Sequence, residues 1–125
     1  MGSLRQARGR AAWLRGAAAE ARAVRTLERA GFAVLGRRLR TQAGEIDLVA
    51  RRGDLTLIVE VKARPSAGEA AFAVSARQRS RLAAAAEALM AAEPGWFGAS
   101  LRFDAILVGA DGAVVWLEDA FRPGE

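Results

Sequence analysis

Residues 44–64 read GEIDLVARRGDLTLIVEVKAR. Apolar and polar side chains largely alternate over Glu45–Ala50 and again over Leu55–Lys62, the two-residue period of strands with unlike faces. Arg51-Arg52-Gly53-Asp54 supplies a hairpin-type turn between them. Centring that turn on Arg52-Gly53 pairs Arg51 with Asp54, and so sets Ala50 opposite Leu55, Asp47 opposite Ile58 and Glu45 opposite Glu60. One face then collects Ile46, Leu48, Ala50, Leu55, Leu57, Val59 and Val61. The other collects Glu45, Asp47, Glu60 and Lys62, near the open end of the hairpin. Like charges directly opposed across a sheet destabilise it, so Glu45 facing Glu60 calls for a counter-charge from Lys62 or from a divalent cation. A half-solvated antiparallel hairpin would also put acids on one face. Val49 and Ile58 on that same face favour a covered sheet with a polar site at one end.

Outward from the hairpin, residues 11–30 are rich in Ala and Arg, good helix formers, with Gly31 as the natural stop. Trp13, Ala17, Val24 and Leu27 form a core-facing stripe, and Glu20 falls on it. A carboxylate there is costly to bury unless an Arg or a metal ion partners it. Phe32–Arg40 reads as a strand interrupted by Gly36, and Pro65–Gly68 as a loop. Ser75 caps a helix running to about Ala92, stopped by Glu93-Pro94-Gly95. Leu82, Ala85 and Leu89 form its inward stripe, which Gln78 continues one turn earlier. Leu101–Val108 and Ala113–Leu117 make a second hairpin around Asp111-Gly112. The order α-β-β-β-α-β-β, with a helix between two strands, predicts an α/β domain with a mixed sheet flanked by helices. A single domain over residues 1–125 is expected, with 1–10 as a flexible basic arm.

Composition narrows the chemistry. The 125 residues contain no Cys, His or Tyr, which removes thiolate nucleophiles, cysteine-ligated zinc and imidazole bases. Catalysis would run on Asp, Glu, Lys, Arg or hydroxyls, and a bound metal would be a hard ion held by oxygen. No apolar run approaches the roughly 20 residues of a membrane span. The basic N-terminus has no apolar signal segment, and a cytoplasmic location is the expectation. Residues 1–40 hold ten Arg against Glu20 and Glu28, while 41–125 hold nine basic groups against twelve acids. A basic third beside an acidic remainder suits a polyanion approaching an acidic pocket. Among all these cations Lys62 is the only lysine, and an ammonium differs from a guanidinium where a compact point charge is needed.

Glu20, then Asp47 within Gly44-Glu45-Ile46-Asp47, then Glu60-Val61-Lys62 resemble the signature of the PD-(D/E)xK nuclease superfamily. That superfamily has the restriction endonuclease-like fold, shared by archaeal Holliday junction resolvases. More narrowly, the chain is similar to the YraN-like family of uncharacterised bacterial proteins from about Gly16 to Phe121. The likeness runs through Gly16 and Glu20, Gly31-Phe32, GEIDLVA at 44–50 and VEVKAR at 59–64. It continues through Ala73-Val74, Arg102-Phe103-Asp104 and Ala120-Phe121.

The resemblance implies an αβββαβ core with an extra C-terminal hairpin strand. It implies that Asp47 and Glu60 ligate Mg²⁺ (or Mn²⁺), that Glu20 completes the site directly or through water, and that Lys62 positions or activates the attacking water. Glu45 and Gln78 stand beside these as candidate outer partners. Two positions depart from the family pattern, Arg38 where Asn is usual and Gln78 where Lys is common. The expected activity is metal-dependent endonucleolytic hydrolysis, of branched or structured DNA in preference to RNA. Arg37, Arg38, Arg40, Arg51, Arg52 and Arg64 are available to track phosphates. Trp96 and Phe97 belong to the core or offer a stacking surface. A two-fold homodimer is a further expectation, with Trp116 and Phe121 near an edge hairpin. The alternatives are a non-catalytic nucleic-acid-binding scaffold and a protein-interaction module using the Arg-rich helix.

Overall fold

A computed structural model describes residues 4–65 and 75–122. The elements are α1 (Leu4–Arg29), β1 (Ala33–Thr41), β2 (Gly44–Arg52), β3 (Leu55–Arg64), α2 (Ala76–Ala92), β4 (Ser100–Gly109) and β5 (Val114–Leu117), with a 3₁₀ turn at Pro94–Trp96. This is the expected α-β-β-β-α-β-β order. The expected loop beyond Pro65, Ala73-Val74 and the side chain of Trp13 lie outside the described residues.

The five strands lie side by side in chain order. Only β3 and β4 are parallel, running in register from Leu55 opposite Ser100 to Arg64 opposite Gly109. A parallel pair needs a crossover, and α2 supplies it. Ala19, Ala23, Val24 and Leu27 of α1 pack on one face of the sheet against Leu48, Ala50, Leu57, Val59, Ile106 and Val108. Leu82, Ala85, Ala86 and Leu89 of α2 cover the other, with Ile46, Val49, Ile58, Phe103 and Phe121. Each fully buried Leu, Ile or Val contributes about 1.5–3 kcal/mol of transfer free energy. Val49 and Ile58 thus sit under a helix, as their place among the acids suggested.

Helix α1 is described from Leu4 onward, so residues 4–10 of the stretch expected to be a flexible arm are helical. Arg, Gln and Ala are good helix formers and carry the helix back past Ala11. Its end is a Schellman turn: Phe32 N–H donates to the Leu27 carbonyl (3.0 Å) and Gly31 N–H to that of Glu28 (3.0 Å). Gly31 takes φ +88°, where a side chain would be strained. At the start of α2, the Ser75 hydroxyl accepts from Gln78 N–H (3.2 Å) and the Gln78 amide oxygen accepts from Ser75 N–H (3.1 Å). This capping box satisfies two otherwise orphaned donors.

The hairpin of β2 and β3 closes one pair later than the sequence suggests. Gly53 and Asp54 are the two loop residues, Arg52 faces Leu55, and Leu48 faces Val59. Gly53 has φ +58°, the left-handed geometry a tight hairpin demands of its first loop residue. A shift of one pair preserves the faces but changes every partner. Carried one step on, the register sets Asp47 rather than Glu45 against Glu60. Ile46 also departs from expectation, packing under α2 with Val49 and Ile58 rather than with Leu48. The β2–β3 ladder ends at Leu48, and beyond it the strict alternation of β2 is lost. In β1, the interruption expected at Gly36 is a shift of register between Val34 and Gly36.

Several residues singled out in the sequence build the core. Asp104 is fully buried and accepts from Arg102 Nε (2.8 Å) and Nη2 (2.9 Å), Trp116 Nε1 (2.8 Å) and Asp119 N–H (2.9 Å). Trp116 meets Phe32 edge-on at 5.9 Å and Phe121 lies 5.1 Å from Phe103. Phe121 is thus buried, while Trp116 is half-buried with one edge contact to Phe32. Trp96 and Phe97 are partly buried against the α2 cluster. Among the described residues, no helix is long and apolar enough to cross a membrane.

Candidate functional site

At the open end of the β2–β3 hairpin the two strands part. Past Leu48, Asp47 gives up backbone pairing, and its Oδ2 accepts the Val61 N–H at 2.8 Å. The side chain thus takes the place of a ladder carbonyl, which fixes a carboxylate between the strands.

Glu60 lies beside it on β3. It is only 8% exposed, and its Oε2 is buried with no hydrogen-bond partner. Its Oε1 lies 3.7 Å from Lys62 Nζ. Burial first, then the charge of Asp47 and a hydrogen-bonding contact with it, push the Glu60 carboxyl up from 4.5 to about 7. Lys62 and Arg81 pull it back down. A buried carboxylate oxygen without a donor costs several kcal/mol unless a proton or a cation meets it. With its carboxyl raised to about 7, Glu60 can keep that proton near neutral pH.

A hollow of about 190 Å³ opens next to Asp47, lined by Glu20, Arg38, Glu45 and Asp47 over a floor that includes Ala19, Val61 and Ala63. Glu20 reaches it from the inward stripe of α1, where Arg38 meets it: Nε donates to Glu20 Oε2 at 2.8 Å. The Glu20 hydrogen bond and charge, with smaller contributions from Glu45 and Asp47, raise the Arg38 guanidinium pKa further. Arg38 itself sits at φ +49°, a left-handed conformation that a long side chain seldom adopts and Asn tolerates better.

The expected site residues are therefore only partly brought together. Asp47, Glu60 and Lys62 form one group, while Glu20 is held by Arg38. Glu45 is exposed on the rim, and Gln78 has its amide oxygen committed to the capping box. Among the described residues, no group of three acidic side chains is arranged to hold a metal ion. Two adjacent hard-oxygen donors, one with an unpartnered buried oxygen, beside an ammonium still fit one hard divalent cation.

The basic residues divide in the same way. Arg40 faces Glu45 across the β1–β2 ladder, Arg37 is exposed on β1, and Arg64 ends β3 at the site end. Arg51 and Arg52 lie at the turn end, roughly 13 and 17 Å along the strand from Asp47. Arg51 donates to the Gly53 and Gly95 carbonyls, both at 2.9 Å. Arg52 donates to the Ala30 carbonyl at 2.7 Å and lies 4.4 Å above the Phe32 ring. Both hold the fold together.

Two arginines with a claim on the site went unread in the sequence. Arg81 brings positive charge to Glu60 from α2; it lies one turn past Gln78, and that spacing was the available signal. Arg22 and Arg64 border a groove of about 720 Å³, which shares Ala19 and Ala63 with the acidic hollow. Arg22 stands two residues after Glu20, and only the packing of α1 on the sheet reveals the groove beside it.

The profile of an uncharacterised protein family, UPF0102, matches residues 19–108. A UPF0102 protein of Azorhizobium caulinodans is 54% identical over 115 residues, covering 92% of this chain and 88% of the relative. One from Rhodopseudomonas palustris is 50% identical over 89% of this chain and 85% of its own length. A third, from Granulibacter bethesdensis, is 49% identical over 88% of this chain and 70% of its own. The matched residues contain Glu20, Asp47, Glu60 and Lys62.

Proposed function

The chain belongs to the uncharacterised protein family UPF0102, and from its site we propose that it is a metal-dependent nuclease of the PD-(D/E)xK kind, hydrolysing phosphodiester bonds in nucleic acid. The observation that carries this reading is the buried, unpartnered Glu60 Oε2 beside Asp47, with Lys62 on the same carboxylate. Asp47 and Glu60 would hold Mg²⁺ or Mn²⁺. When bound, such an ion lowers the pKa of a water and offsets charge on the phosphate.

Lys62 orients the attacking water through its donors. The water oxygen bonds to phosphorus as the bond to the leaving sugar oxygen breaks; the water proton passes to solvent, and the departing oxygen takes up a proton from solvent. A phosphate would approach Asp47 through the hollow beside it. The neighbouring groove, with Arg22 and Arg64 on its border, gives the strand a path that neutralises backbone charge without reading bases.

DNA of branched or structured shape is the proposed substrate. The test is a panel of branched, flapped, single-stranded and duplex DNA and RNA, incubated with Mg²⁺ or Mn²⁺ and with Asp47→Asn as control. Metal-dependent cleavage by the wild type alone is expected. Cleavage that Asp47→Asn retains would overturn the site assignment.

One observation favours a second reading. Arg38 occupies Glu20, which suits a non-catalytic nucleic-acid-binding scaffold keeping the acids as structure. Binding to the panel without cleavage in either metal would select it.

A further inference from the structure

We infer that Arg38 sets the strength of the metal site by holding Glu20 away from it, so that this chain binds a hard divalent cation through Asp47 and Glu60 and binds it weakly. This inference rests on the metal reading above. Its observations come from a different element.

Glu20 lines the same hollow as Asp47 and points there from the inward stripe of α1. A carboxylate so placed, 16% exposed, needs a positive partner, and Arg38 Nε provides it at 2.8 Å. Arg38 reaches that position only through a left-handed backbone at φ +49°. Such a conformation in a long-chain residue persists only where its surroundings enforce it. The Glu20 contact is one of those surroundings. The guanidinium also feels Glu45 and Asp47, so a divalent ion arriving at Asp47 meets a resident positive charge. Arg38 therefore acts on the metal in two ways, by engaging Glu20 and by repelling the ion. It is a positioning residue rather than a catalytic one.

The two effects separate in a double-mutant cycle read by Mn²⁺ calorimetry on the wild type, Arg38→Asn, Glu20→Gln and the double variant. Asn accepts the left-handed backbone, which offsets the lost Glu20 ion pair, so Arg38→Asn is expected to remain folded, which melting verifies. The expected result is Mn²⁺ affinity raised at least about tenfold in Arg38→Asn, within the range by which partners of metal ligands change affinity. Most of that gain is expected to vanish in the double variant. Glu20→Gln alone is expected to leave the wild-type affinity within about threefold, well below that range.

A gain that survives intact in the double variant would overturn the recruitment of Glu20 and leave only charge repulsion. A large loss in Glu20→Gln would show that Glu20 already ligates the ion, and would overturn the inference even if Arg38→Asn failed to fold. No Mn²⁺ uptake by any variant would remove the metal reading itself. Uptake by the wild type that Arg38→Asn does not improve would remove only this inference.

Discussion

Glu60→Gln in metal-free buffer is expected to stabilise the protein above neutral pH and to leave it nearly unchanged in acid. In the folded chain Glu60 keeps its proton to about 7, against an ordinary value of 4.5. Below 4.5 the carboxyl is protonated in both states and folding meets no penalty. Between 4.5 and 7 the native state binds more protons than the unfolded one, so stability falls as pH rises. Above 7 the whole penalty applies. The displacement from 4.5 to about 7 corresponds to about 3 kcal/mol at 1.36 kcal/mol per pH unit. Burial is its largest cause and Asp47 the next. Glutamine removes the charge, and its amide can donate to Asp47 where a carboxylate repels it. Urea unfolding from pH 4 to 8.5 in EDTA measures the effect. The wild-type curve should decline through pH 4.5–7 while that of Glu60→Gln stays flatter, the two differing by about 3 kcal/mol at pH 8, or about 10 °C in Tm. Parallel curves would refute the buried carboxyl beside Asp47 and with it the predisposition to bind a cation.

Millimolar Mn²⁺ should raise the melting temperature of the wild type, since an ion bound only by the native state stabilises it by RT ln(1 + [L]/Kd). Scanning calorimetry should find that rise lost in Asp47→Asn. Asp104→Ala should cost about 3–5 kcal/mol by denaturant unfolding, because it strands the partly buried Arg102 and removes four hydrogen bonds at once. Nucleic-acid affinity should survive any such loss at temperatures where the variant remains folded, which a gel-shift titration checks.

Periodicity made the layers legible. The stripes of α1 and α2, the hairpin punctuated at Gly53 and the capping residue Ser75 are local signals, and local physics decides them. The pairing of Asp47 with Glu60 was harder. Choosing Arg52-Gly53 rather than Gly53-Asp54 as the loop moves every partner by one pair without changing a face, so alternation cannot detect the error. The end of the β2–β3 ladder at Leu48 is a tertiary event, in which the Asp47 carboxylate replaces a backbone acceptor, and no pattern announces it. The grouping of Asp47, Glu60 and Lys62 was visible because two strands carry it. The engagement of Glu20 by Arg38 was not, since it depends on one left-handed residue in β1 meeting a helix eighteen positions earlier. Arg51 and Arg52 show the opposite limit: basic residues read as phosphate contacts are held by carbonyls at the far end of the sheet.

Single-turnover cleavage by the wild type and Lys62→Arg, in saturating Mg²⁺ on the best substrate of the panel, tests most directly whether Asp47, Glu60 and Lys62 act together on a metal-activated water. Arginine preserves the charge beside Glu60 but not the compact, rotatable donors of an ammonium. The expected result is unchanged folding and nucleic-acid affinity with cleavage reduced at least about a hundredfold, the usual loss for one positioned group in proton transfer. Cleavage at the wild-type rate in Lys62→Arg would make Lys62 a structural counter-ion to Glu60 and contradict the account.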